Sequence, residues 1–103
     1  MITVLVQFKL PEPLSADVAR GLFLESAPNF QTVPGLLRKY FLLAEDGTSA
    51  GGVYLWESRE QAERLYTQDF IDHLQERFGS APTITWFESP VVVDNITSEI
   101  ISS

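Results

Sequence analysis

The order of hydrophobic periodicities along the chain predicts an α+β domain of the ferredoxin-like βαββαβ type, with a four-stranded antiparallel sheet. Three observations carry this prediction. Ile2 to Leu10 alternates Ile2, Val4, Val6, Phe8 and Leu10 with Thr3, Leu5, Gln7 and Lys9, the period of two that marks a strand. Pro34 to Trp56 (PGLLRKYFLLAEDGTSAGGVYLW) holds two apolar, aromatic-rich runs around Asp46-Gly47, the residue types a chain reversal needs. Helical spacing follows each of these stretches, and a last β-rich run closes the order strand, helix, strand, strand, helix, strand.

The elements follow in turn. Pro11 and Pro13 end the first strand, and Ser15 is placed to cap a helix with Asp17 in its first turn. Val18, Ala19, Leu22, Phe23 and Ala27 recur at helical spacing until Pro28, which removes a hydrogen bond and ends or kinks the helix. Leu36–Leu43 and Gly51–Trp56 are the hairpin strands. Ser58 with Gln61 forms a capping-box pattern, Ala62, Leu65 and Tyr66 form a buried stripe, and Glu60 pairs with Arg64 on the wet face. A break near Gln68, with a cap among Thr67-Gln68-Asp69, starts a second helical piece carrying Phe70, Ile71, Leu74 and Phe78, and Gly79 suits its C-terminal cap. Thr83–Ser89 is the last strand. Pro90 interrupts it, and Val91–Val93 resumes as an edge or short extra strand.

The bounds are those of one domain, residues 1–95, with a tail at 96–103. At 103 residues, 45% apolar and 20% charged, the chain is long enough for a core. It has no cysteine, so no disulfide, thiol nucleophile or thiolate metal site. A net charge of −7 argues against nucleic acid or an anionic membrane as partner. No run approaches the ~20 apolar residues of a membrane span, and a cytoplasmic location is expected. The first hairpin strand is apolar on both sides: Leu37, Phe41 and Leu43 on one, Leu36, Tyr40 and Leu42 on the other. Two helices cover only one face of a sheet, so a second copy is expected on the other. Val91, Val92, Val93, Ile96 and Ile100 are too apolar for a free tail and are expected to pack on that partner.

Pro34-Gly35 followed by Lys39 (PG-x3-K), then Ala50-Gly51-Gly52-Val53-Tyr54-Leu55 (AGG-x-YL), then a helix with Ala62 and Tyr66, resembles the small bacterial family of YdhR-like mono-oxygenases. The resemblance runs from Ile2 to Asn95 and is densest between Pro34 and Tyr66. It implies the dimeric α+β barrel, related to the antibiotic biosynthesis monooxygenases, with two sheets face to face across a two-fold axis. It also implies a pocket between sheet and helices and an oxygenation of a small phenolic or quinol-like molecule with no cofactor, neither metal nor flavin. A deprotonated phenol itself supplies the electrons to dioxygen, so the protein needs a dry pocket, a base or donor near the phenolic oxygen, and aromatic walls.

On that basis the candidate catalytic residues are Lys39, Tyr54 and His73, and the candidate substrate-binding residues are Trp56, Phe23 and Tyr66. Tyr54 and Trp56 share one strand face, and each offers a donor from an apolar ring; both also suit a plain core. A mid-strand lysine such as Lys39 must snorkel or find a partner, by a salt bridge at the sheet edge or the dimer interface if not in a pocket. His73, the only histidine, equally suits a solvated helix face. Glu57 is explained by the helix N-terminus beside it, Gly51-Gly52 by a bulge as well as by a ligand, and Asp69, Asp72 and Glu76 by a wet helix face rather than a metal site. A haem-degrading branch of the superfamily uses an Asn on the first strand and a Trp–His pair on the second helix. Here those places hold Gln7, Leu65 and an out-of-register His73. A lactone isomerase, which needs only a base and an oxyanion donor, and a dimer that only binds a small aromatic ligand remain open; oxygen uptake and turnover separate the three.

Overall fold

The computed structural model describes residues 1–103 and contains β1 (Ile2–Lys9), α1 (Ala16–Ser26), β2 (Leu36–Leu43), β3 (Ser49–Trp56), α2 (Arg59–Glu63), α3 (Gln68–Phe78), β4 (Thr83–Glu88), β5 (Val91–Asp94) and β6 (Glu99–Ser102). The main sheet runs β2–β3–β1–β4 with every pair antiparallel, the expected ferredoxin-like order. Central β1 turns Val4, Val6 and Phe8 toward the helices, where all three are buried. Each large apolar side chain taken out of water contributes about 1.5–3 kcal/mol. Opposite them on β3 stand Tyr54, Gly52 and Ala50, so the helix-facing layer is large, empty and small in successive rows.

The helix ends obey their sequence signals. The Ser15 hydroxyl accepts from the Val18 amide at 3.2 Å, that of Ser58 from Gln61 at 3.3 Å and that of Thr67 from Phe70 at 3.3 Å. Each satisfies one of the amides left unpaired in a first helical turn. Pro28 ends α1 at Ser26, and the chain continues as a 3-10 turn over Ala27–Phe30. Gly79 closes α3 at φ 86°, a conformation cheap only without a Cβ.

Three details differ from the sequence reading. A bulge between Leu36 and Arg38 sets Leu36 opposite Trp56 on the helix side and leaves Leu37 exposed, inverting the expected sides of these two leucines, because one extra residue reverses side-chain alternation. Lys39, Phe41 and Leu43 then keep the helix-facing phase. β3 starts at Ser49, two residues before the first expected, because Ala50 pairs with both Phe8 and Leu43. Beyond Pro90, β5 and β6 form a separate two-stranded hairpin, so the expected boundary near Asn95 falls in its turn. That hairpin is tied to the main sheet by Arg38 on Asp94 at 2.7 Å and at its base by Ser89 to Met1 at 2.9 Å. Val91, Val93, Ile96 and Ile100 on it lie open.

Candidate functional site

The empty row at Gly52 becomes the floor of a cavity of about 260 Å3 between the sheet, the end of α1 with its 3-10 turn, and α3. A Cβ at Gly52 would lie 3.1 Å from the Tyr54 ring and 3.2 Å from Cε of Lys39, so any side chain there takes the space these two residues border. At Gly51 a Cβ would meet the Val6 carbonyl oxygen, a backbone atom that cannot yield. The AGG stretch thus has two physical uses, close approach of β1 at Gly51 and an open floor at Gly52.

Lys39 stands directly opposite Tyr54, and its ammonium is enclosed by ring faces: 3.4 Å from the centroid of Phe30, 3.8 Å from Phe41 and 4.6 Å from Tyr54. It has no carboxylate partner. Burial without a counter-charge disfavours the cation and lowers its pKa to about 7. The expected choice between snorkelling and an ion pair therefore resolves into neither; the amine points into an aromatic cage on the cavity wall.

Tyr54 is buried, and burial holds its phenol well above the usual 10. It is thus a neutral hydroxyl at physiological pH, and it borders the same cavity. Phe23 forms part of the wall, stacked on Phe41 at 5.1 Å. His73 reaches the cavity from α3 and is otherwise exposed. Lys39, Tyr54, His73 and Phe23 are thereby brought together.

Trp56 and Tyr66 are not. Trp56 is wholly buried, and its indole donates to the Tyr66 hydroxyl at 3.0 Å. The pair packs behind Tyr54, with Tyr66 edge-on to Tyr54 at 5.4 Å and to Trp86 at 5.4 Å, and neither side chain borders the cavity. Burial also holds the Tyr66 phenol well above its usual value. These two rings fix Tyr54 from behind.

Sequence reasoning missed Phe30, Phe41 and Arg77. Phe41 was reachable, since it lies two residues from Lys39 on the same strand face. Arg77 was reachable as the residue one helical turn beyond His73. Phe30 was not, because only the 3-10 turn after Pro28 swings it over the sheet. Asp69, Asp72 and Glu76 lie exposed on α3, and no group of three His, Cys, Asp or Glu side chains is placed to hold a metal ion.

Residues 3–88 match the family described as "Putative mono-oxygenase ydhR". The chain belongs to this family. No curated protein matches it in sequence. Among solved structures, the fold is similar to a monooxygenase from the gene ActVA-Orf6 of Streptomyces coelicolor in complex with nanaomycin D (TM-score 0.64, 18% identity, 85% of this chain and 86% of that one). It is also similar to SnoaB, a cofactor-independent oxygenase from Streptomyces nogalater (0.62, 20%, 85% and 91%). A third is a protein of Deinococcus radiodurans described as a "putative antibiotic biosynthesis monooxygenase" (0.66, 16%, 91% and 97%). At these identities the likeness establishes the shared α+β fold of the ydhR-type chain.

Proposed function

We propose that the ydhR-type chain is a cofactor-independent monooxygenase whose substrate is a small phenolic or quinol-like aromatic, bound over Gly52. The observation that carries this reading is the Lys39 amine, without counter-ion and caged by aromatic faces, the Tyr54 ring among them, in an apolar cavity. A pKa of about 7 lets Lys39 take a phenol's proton at neutral pH, and the ring faces then hold the resulting ammonium. Tyr54 donates to the phenolic oxygen. The electron-rich ring carbon of the phenolate bonds to dioxygen, and the peroxide takes up a proton. Loss of the ring hydrogen with water leaves a quinone: one oxygen atom enters the product, the other leaves as water, and the substrate supplies all four electrons. A dry pocket strengthens each of these contacts.

A homodimer through the outer sheet face belongs to the same proposal. Tyr40, Phe87 and Leu37 are 54%, 51% and 47% exposed on the face or edge away from the helices, and apolar groups gathered on one open sheet face suit a contact surface. The β5–β6 hairpin, with its open valines and isoleucines, suits the partner's surface. The experiment is oxygen uptake by metal- and flavin-free protein with naphthols and hydroquinones, with incorporation from labelled dioxygen read in the product. Loss of about 100-fold in rate is expected for Lys39→Ala or Tyr54→Phe. Wild type and both variants matching the buffer blank would end the oxygenase reading, and binding in the same samples would then separate a ligand-sequestering dimer from no ligand at all.

A further inference from the structure

The charge on the cavity wall runs against the charge of the protein. The chain carries 14 acidic and 7 basic residues, yet none of the 18 residues that line the cavity is acidic, and Lys39, His73 and Arg77 are all among them. Lys39 lies at the floor, and the other two stand one helical turn apart on α3, on the same face.

Arg77 is held ready rather than consumed. Its Nη1 donates to the Ser26 hydroxyl at 2.9 Å, and its guanidinium lies 5.4 Å from the Phe78 ring centroid. Its only carboxylate contact is Glu25, at 3.8 Å and mostly in solvent, a long and screened pairing that contributes little. A guanidinium has five N–H donors in a planar fork, so most of its hydrogen-bonding capacity stays free at the cavity rim. Asn29 and Ser26 add uncharged polar groups on the same side.

We propose that this rim recognises a carboxylate, so that the substrate is an aromatic acid with its phenolic end at Lys39 and Tyr54 and its carboxylate on Arg77 beside His73. The inference rests on the phenol-binding reading above and adds the second functional group. Arg77 is then a specificity-determining residue, not a catalytic one. Planar two-point pairing with a carboxylate is the geometry a guanidinium serves best and an ammonium does not. An anionic substrate also needs a local cationic field in a protein of net charge −7.

The test compares 6-hydroxy-2-naphthoate with 2-naphthol by calorimetric binding at pH 8, where Lys39 is mostly uncharged and contributes little to the preference for an anion. Wild type should bind the acid at least ~10-fold more tightly, about 1.4 kcal/mol. Arg77→Gln should remove that preference while leaving the naphthol affinity unchanged, Arg77→Lys should restore only part of it, and Glu25→Gln should keep or enlarge it. Equal affinity of wild type for the two ligands overturns the proposal and leaves the oxygenase reading standing. Equal weakening of both ligands by Arg77→Gln overturns it too, because that is the mark of a structural role. If neither ligand binds, both readings fall together.

Discussion

Replacing Lys39 with Met keeps the length and most of the volume of the side chain and removes its charge, which isolates what it costs to hold an amine among Phe30, Phe41 and Tyr54. Burial lowers Lys39 from 10.5 to about 7, and at ~1.36 kcal/mol for each pH unit this is a penalty on the order of 5 kcal/mol when the amine is charged. By linkage that same shift is the pH-dependent difference in stability, so an effect on the order of 5 kcal/mol is expected once the amine is charged in both states. The sign follows from the depressed folded-state value. Between about pH 7 and 10.5 the unfolded chain binds a proton that the folded chain does not, so stability rises with pH across that window. The favourable contribution is complete above 10.5 and is lost progressively as the pH falls from there to about 7. Urea unfolding at pH 6, 8 and 10, at one fixed protein concentration, should show Lys39→Met more stable than wild type by on the order of 5 kcal/mol at pH 6. The gap should close steadily above pH 7. A gap that does not change with pH, or that widens as pH rises, would refute the reasoning, because Lys39 would then titrate alike in both states.

The same lysine predicts that kcat/KM with a naphthol rises with pH through a limb near 7 and that Lys39→Met lacks this limb, read from a pH–rate profile. Gly52→Val should fill the cavity floor, weaken naphthol binding by more than about 10-fold and cost ~1–3 kcal/mol in stability from overpacking, measured by titration and denaturant midpoint on one sample. Tyr66→Phe strands the Trp56 indole N–H in the core, and a loss of about 1–3 kcal/mol is expected; an unchanged midpoint would mean that the indole has another acceptor. Ending the chain after Ser89 removes the Arg38–Asp94 pair and the exposed hairpin, and it should weaken the dimer, read by sedimentation over a dilution series.

Most of the scaffold is legible in the sequence because its signals are local. The period of two in β1, the caps at Ser15, Ser58, Thr67 and Gly79, and the stop at Pro28 each depend on residues within one turn or one strand. Their order already specifies the ferredoxin-like sheet. The pairs PG-x3-K and AGG-x-YL pointed to the right hairpin, to Lys39 and Tyr54 in the cavity, and to the family. Only the tertiary structure decided which side chains border the space. Alternation says which face of β3 carries Tyr54 and Trp56, but not which row of that face the helices leave uncovered. The gap lies over Gly52, so Tyr54 borders it, while Trp56, one row further along, is sealed beneath Tyr66. The bulge at Leu36/Arg38 exchanged the expected sides of Leu36 and Leu37, and the fate of Lys39 turned on Phe30, nine residues upstream in a turn of no regular period. Whether a buried lysine finds a carboxylate or a cage depends on what the rest of the chain brings over it, and no local pattern encodes that.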